Sequence, residues 1–210
     1  MNFSSTAKHL PYTWTDYRSW QNDERWEIID GEAYAMSPAP SVRHQHIHRE
    51  LFTSICAHFR GKSCRPFSCP IDVKLSDTDI VQPDIVVVCR PEQILRSHIE
   101  GSPTLVVEIL SPSSAQRDRG VKMDVYARAG VGEVWLVTPW PHCVEVYVLD
   151  GRGYRRHAAF IQTQTLASAA FPALTIDLVP VFDFPLYPGE EPPVVREPPG
   201  RYAAATAGAL

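Results

Sequence analysis

Apolar residues Val42, Ile47, Leu51, Ile55 and Phe59 recur at four- and five-residue steps. That spacing predicts a helix with one apolar stripe, with Ser41 as its N-cap and Gly61 as its stop. Ahead of it, WEIIDGEAYAM (Trp26 to Met36) reads as two short strands around Asp30-Gly31, a dipeptide that tolerates the positive φ angles of a tight hairpin turn. Ser37-Pro38-Ala39-Pro40 ends the hairpin. The preceding PYTWTDYRSW reads as a capped helical turn, and residues 1–10, which show no usable period, as a loose arm.

Downstream, Ile71, Val73 and Leu75 alternate with Asp72 and Lys74, as a half-exposed strand would. DIVVV from Asp84 and TLVVEIL from Thr104 are apolar and β-branched enough to be buried strands. RDRGVKMDVYARAG (Arg117 to Gly130) returns to helical spacing through Val121, Val125 and Tyr126 and stops at Gly130. Gly120 weakens its start by up to about 1 kcal/mol, which moves the beginning later. EVWLV is another buried strand, and CVEVYVL and YRRHAAF flank Asp150-Gly151-Arg152-Gly153 as a closing hairpin. Hairpin, helix, three strands, helix, strand and hairpin make an α/β (α+β) domain over residues 11–185. Residues 186–210, rich in Pro and Ala, lack the apolar density to fold and are expected to form a disordered tail.

With 210 residues, of which 44% are hydrophobic, the chain can bury one sizeable core. A formal charge of −4 gives no global attraction to nucleic acid or to an anionic membrane, and leaves a local basic patch open. The cysteines, Cys56, Cys64, Cys69, Cys89 and Cys143, are odd in number and lack a framework spacing, and no basic-then-apolar leader opens the chain. Reduced thiols in a cytoplasmic protein are therefore expected. No apolar run approaches the roughly 20 residues of a membrane span. Cys64 and Cys69 have no second pair with which to build a zinc ribbon, and phosphate-binding glycine loops and nucleophile elbows are absent.

Glu108 stands out inside TLVVEIL, because burying an ionised carboxylate without a partner costs several kcal/mol. Asp84 sits at the start of the preceding strand of the series. Adjacent strands lie about 4.8 Å apart, so carboxylates at matching heights can hold one divalent cation between them. Mg²⁺ suits this arrangement, since it takes one or two protein carboxylates and keeps its other positions for water and phosphate oxygens. It would also activate a bound water and stabilise charge on a phosphodiester. The competing reading makes Asp84 a rim residue and pairs Glu108 with an arginine.

Pro83-Asp84 and Glu108 resemble the Pro-Asp and Glu-x-Lys of the PD-(D/E)XK nuclease superfamily, whose core is helix, three strands, helix and strand. More narrowly, WEIIDGEAYAMSPAPSVRHQHI, QPDIVVV, LVVEILSPSS, RDRGVKMDVYARAGVGEVWLV and EVYVL, in order between Trp26 and Phe184, are similar to the bacterial restriction-endonuclease-like proteins of the Uma type. The resemblance implies a restriction endonuclease-like αβββαβ core with a mixed central sheet, an N-terminal hairpin and a closing β-hairpin. It also implies a Mg²⁺- or Mn²⁺-dependent endonuclease activity on DNA, with Asp84 and Glu108 at the metal.

One position departs from the pattern. Glu-x-Lys puts both side chains on one strand face, and here the lysine position is Leu110. Of the four lysines, Lys8, Lys62, Lys74 and Lys122, only Lys122 lies on the element directly after Glu108, from which a long ammonium can reach back over the strand end. The family's recurrent Asp-x-x-x-Lys at this point supports that role. The competing reading makes Asp118 and Lys122 a solvated i, i+4 pair, and Gln116 and Arg117 are the other candidates for the lysine's role.

The resemblance also implies that an acidic residue of the first element completes the metal site. Its match is Glu27, with Glu32 and Glu50 as weaker candidates and a hairpin-rim glutamate as the plain alternative. In RHQHIH only His44 and His48 share a helix face, and without a Glu in the HExxH position a metalloprotease is excluded. His44 matches the family's recurrent histidine and is expected to contact phosphate or support the carboxylates; the alternative is an exposed helix histidine. Two functions follow as expectations: a metal-dependent endonuclease, or a catalytically inactive nuclease fold that binds DNA or protein. The edge near the closing hairpin offers a surface for a homodimer.

Overall fold

The computed structural model describes residues 10–20, 24–36 and 39–185. The expected arm over residues 1–10 (apart from Leu10), Ser37-Pro38 and the expected tail over 186–210 lie outside the described residues. The capped turn is helix α1 (Trp14–Ser19), where Thr13 and Asp16 close a reciprocal capping box. The first hairpin is β1 (Trp26–Ile29) and β2 (Glu32–Ala35), with Asp30 at φ 53° and Gly31 at φ 76° in its turn. A Cβ on Gly31 would lie 2.3 Å from that of Pro11, so the turn also packs too closely for any side chain there.

Helix α2 (Val42–Phe59) begins under the Ser41 cap, whose hydroxyl accepts from the His44 N–H. Its stripe Ile47, Leu51, Ile55 and Phe59 is buried, whereas Val42, on the first turn, is 63% exposed. Six short strands follow: β3 (Arg65–Ser68), β4 (Val73–Ser76), β5 (Asp79–Val81), β6 (Ile85–Val88), β7 (Ile99–Glu100) and β8 (Leu105–Ile109). Next come α3 (Ala115–Arg119), α4 (Val121–Ala129), β9 (Glu133–Thr138) and the closing hairpin β10 (Cys143–Asp150) and β11 (Gly153–Ile161). The described chain ends with β12 (Thr165–Ala167), β13 (Thr175–Asp177) and α5 (Leu178–Phe182).

The central sheet has the order β11-β10-β9-β8-β6-β3, mixed because β8 and β9 run parallel and the other neighbours antiparallel. A second sheet, β2-β1-β5-β4-β7, packs beside it. Period-two alternation divides the buried residues between two cores. Leu105, Val107, Ile109, Ile85 and Val87 face the α2 stripe, while Val106, Leu110, Val86 and Val88 join Val125 and Tyr126 of α4 and Ile29, Val73 and Val81 of the second sheet. No helix among the described residues is long and apolar enough to cross a membrane.

Two expectations are corrected. The strand read over Ile71, Val73 and Leu75 is β4, but it belongs to the second sheet, and β3 takes the place beside β6. The stretch RPFS showed no alternation because β3 is an edge strand with no fully buried residue and with Pro66 in it. The thiols are not all reduced: Arg65 pairs with Val88, so Cys64 and Cys89 meet just beyond, and a disulfide joins them. Cys56, Cys69 and Cys143 are free.

Candidate active site

Antiparallel pairing sets Ile85 of β6 opposite Val107 of β8. One step further along the same register brings Asp84 beside Glu108, on the sheet face turned away from α2. Asp84 Oδ2 accepts the Ile109 N–H at 2.7 Å, which fixes the carboxylate to the end of β8. His44, from the first turn of α2, closes the other side: its Nε2 lies 3.3 Å from Asp84 Oδ2 and 3.1 Å from the Ile109 carbonyl oxygen. His48, one turn on, reaches the Asp84 carbonyl oxygen at 3.2 Å. The pair sharing a helix face thus straddles Asp84, while His46 points to the Pro180 carbonyl.

Lys122 supplies the cation that Leu110 does not. Its Nζ lies 2.7 Å from Glu108 Oε1, 2.9 Å from Glu27 Oε1 and 3.6 Å from Asp118 Oδ1. Tyr126, one turn further along α4, donates its hydroxyl to Glu108 Oε1. Asp118, Lys122 and Tyr126 are four residues apart and so share one stripe, although Gly120 separates α3 from α4. A Cβ at Gly120 would meet the Gln116 carbonyl oxygen at 2.9 Å, so the interruption depends on glycine. The solvated-pair reading of Asp118 and Lys122 fails, because they are only 4% and 3% exposed.

Glu27 stands on β1 of the second sheet, facing the same lysine. Its Oε1 also accepts the Gln82 N–H at 2.9 Å, and Arg117 lies 3.7 Å from Oε2 while covering the Tyr34 ring. Gln116, the other substitute considered for the strand lysine, is exposed at the start of α3. Glu32 is exposed, and Glu50 pairs with Arg49 on the surface.

The electrostatics follow from this crowding. Burial pushes Glu108 up to about 8, Lys122 opposes the rise, and Asp118, Asp84 and Glu27 add to it. Burial raises Asp118 as well. For Glu27 burial acts in the same direction, but Lys122, the Gln82 N–H and Arg117 outweigh it and hold the carboxyl below its ordinary range. Asp84 is likewise lowered, burial being overcome by His44 and the Ile109 N–H. His44 is raised, because Asp84 outweighs its burial. Burial would depress Lys122, yet Glu108 and Glu27 carry it well above a free lysine.

Two carboxylate oxygens remain for a ligand. Among the described residues, Asp84 Oδ1 meets only the Cys69 thiol, at 3.9 Å, and Glu108 Oε2 accepts no hydrogen bond. Two hard oxygen donors fit Mg²⁺, which retains water at its other positions. Among the described residues no group of three or more His, Cys, Asp and Glu forms a metal cage. Any ion here would therefore share its shell with water or substrate.

The structure brings together Asp84, Glu108, Lys122, Glu27 and His44, all singled out from the sequence. Sequence reading missed Tyr126, which it assigned to the apolar stripe, and Gln82, whose block QPDIVVV was read for its Pro-Asp. Asp118 entered the sequence reading as the Asp of the family's Asp-x-x-x-Lys and as a surface partner of Lys122, not as a site residue. The i, i+4, i+8 spacing of Asp118, Lys122 and Tyr126 was the available signal.

Over residues 14–179 the sequence matches the Uma2 family, described as "Putative restriction endonuclease". The chain belongs to the Uma2 family. Its fold is similar to a crystal structure from Anabaena variabilis ATCC 29413, described as a putative nuclease belonging to DUF820, with a TM-score of 0.67 at 21% identity, covering 82% of this chain and 98% of that one. This likeness establishes a restriction endonuclease-like fold. The chain is also 34% identical, over 115 residues, to "Uncharacterized protein slr1290" of Synechocystis sp. (strain ATCC 27184 / PCC 6803 / Kazusa). That match covers 53% of this chain and spans 60% of the relative's length.

Proposed function

We propose that this Uma2-family chain is a divalent-metal-dependent endonuclease that hydrolyses phosphodiester bonds in DNA. One observation carries the reading: Glu27, Glu108 and Asp118 surround a single buried lysine and Asp84 stands beside Glu108, an excess of negative charge that adds to burial in raising Glu108 and Asp118. Such a cluster is relieved by a proton or by an added cation. Asp84 Oδ1 and Glu108 Oε2 are the oxygens that would hold Mg²⁺ or Mn²⁺. When bound, that ion supplies Lewis acidity toward the phosphate and lowers the pKa of a water.

The chain's own residues do the rest. Lys122 keeps Glu108 oriented and presents a fixed positive charge beside the reacting phosphate, the role the superfamily assigns to its strand lysine. Glu27 and Asp118 anchor that ammonium. Tyr126 holds Glu108 Oε1, so that Oε2 is left to face the ion. His44 locks the rotamer of Asp84, whose carboxylate in turn favours the protonated imidazole.

Incubation of plasmid and short duplex DNA with the chain and Mg²⁺ or Mn²⁺ tests the proposal. Cleavage is expected that chelation abolishes and that Asp84→Ala and Lys122→Ala each reduce by at least about 100-fold, the scale of losing one electrostatic group in an active site. Intact DNA with wild-type protein, or equal cleavage by Asp84→Ala, would make the chain a binding module on a nuclease fold instead.

A further inference from the structure

A second concavity lies beside the acidic site and plays no part in the chemistry above. It is a recess of about 390 Å³ where the two sheets meet, walled by Phe67, Pro70 and Ile71 and edged by Asp72, Gln82 and Arg96. Two of these residues tie it to the active site. Pro70 follows Cys69, whose thiol is 3.9 Å from Asp84 Oδ1, and the Gln82 N–H holds Glu27 at 2.9 Å. Phe67 and Ile71 pack on the same core that underlies Glu108.

Its polar edge is only partly satisfied. The Gln82 side chain is saturated: Oε1 accepts from Arg25, and Nε2 donates to Tyr17 Oη and Asp72 Oδ1. Asp72 Oδ1 also takes the Tyr17 hydroxyl at 2.7 Å, which orients the carboxylate and leaves Oδ2 without a donor from the described residues. Arg96 is exposed and has no hydrogen bond or ion pair with any described residue. The recess thus combines flat apolar walls, one fixed acceptor and one free cation at its rim.

We propose that this recess is a subsite for an unpaired nucleobase bearing an exocyclic amino group, on a nucleotide adjacent to the scissile phosphate; the assignment rests on the nuclease reading above. The volume falls within the range of pre-formed ligand sites. An aromatic and proline wall accepts the face of a base. A carboxylate oxygen held by neighbouring donors accepts from an amino group, as in recognition of cytosine N4. Arg96 then meets the backbone of the same nucleotide. Thymine, whose one edge donor is an N3–H flanked by two carbonyl oxygens, is a poorer match for Asp72 Oδ2, and a duplex base cannot enter without leaving its stack.

The test measures binding without divalent metal, by anisotropy of labelled single strands carrying cytosine, thymine or an abasic residue at one central position. The cytosine strand is expected to bind the full chain at least about 5-fold more tightly than the abasic strand, the low end of what stacking one base contributes, and more tightly than the thymine strand through the amino contact to Asp72. Ser97→Trp, which fills the rim from an exposed position, and Arg96→Ala should each reduce cytosine-strand affinity, and Ser97→Trp should erase the preference, with unchanged circular dichroism. Equal affinity for all three strands, or a preference that survives Ser97→Trp, overturns the subsite. Failure of the nuclease reading is seen separately, as metal-dependent cleavage that is absent or insensitive to Asp84→Ala.

Discussion

The Lys122 ammonium lies 2.7 Å from Glu108 Oε1, and both side chains are almost sealed from solvent. Each group alone would be costly in that position, and together with Glu27 they form a network in which removing one member exposes the others. This interdependence makes the site sensitive in ways that surface charges are not.

Lys122→Ala should therefore destabilise the protein by about 3 to 5 kcal/mol, the usual cost of leaving a buried ion pair half-made. Adding Glu27→Gln to that variant should recover part of the loss, because one orphaned charge disappears. Urea denaturation of the three proteins measures both effects; a loss below about 1 kcal/mol for Lys122→Ala would mean that the network relaxes freely.

The metal-free protein should lose stability as pH rises from about 5 to 8. Glu108 is pushed up to about 8 from an ordinary 4.5, so in that window the folded state keeps a proton that the unfolded state has released. The raised Asp118 and His44 act in the same direction. The lowered Asp84 and Glu27 act oppositely, but only in more acidic solution, as pH falls below the ordinary carboxylate range. Denaturation midpoints at pH 5 and pH 8 should differ in wild type and differ less in Glu108→Gln.

Mn²⁺ should raise the thermal midpoint, with a gain of about 2.7 kcal/mol at a hundredfold excess over its dissociation constant. The affinity should be greater at pH 8 than at pH 6, since a proton on Glu108 competes with the ion. An Asp84→Asn, Glu108→Gln double variant should show neither effect by calorimetric titration.

A buried carboxylate outside the candidate site, Glu133 at the start of β9, is structural. Trp135 Nε1, the Ser168 hydroxyl and the N–H groups of Ala169 and Ala170 all donate to it, tying the turn after β12 to the central sheet. Glu133→Ala leaves those donors unpaired and should cost about 3 kcal/mol or more, read by thermal denaturation. Metal binding at Asp84 and Glu108 should survive at temperatures where the variant stays folded.

Much of this architecture was legible because it is local. The α2 stripe, the Asp30-Gly31 turn, the apolar runs of β6, β8 and β9 and the closing hairpin are all written in spacings of a few residues, which covalent geometry converts directly into faces. Glu108 announced itself for the same reason, as a charge in a run that must be buried. Asp84 could be paired with it because strand spacing is nearly constant.

The sequence by itself determined these elements and the two carboxylates that face each other across neighbouring strands. The tertiary structure decided what surrounds them: that Lys122 folds inward instead of lying on a solvated helix face, that the core residue Tyr126 turns its hydroxyl to Glu108, that β3 and not β4 flanks β6, and that Cys64 meets Cys89. Each of these depends on contacts between segments far apart in the chain, which periodicity and spacing alone do not specify. A lysine four residues after an aspartate reads the same whether its helix faces water or a cluster of carboxylates, and only the packing of α4 between the two sheets selects the second.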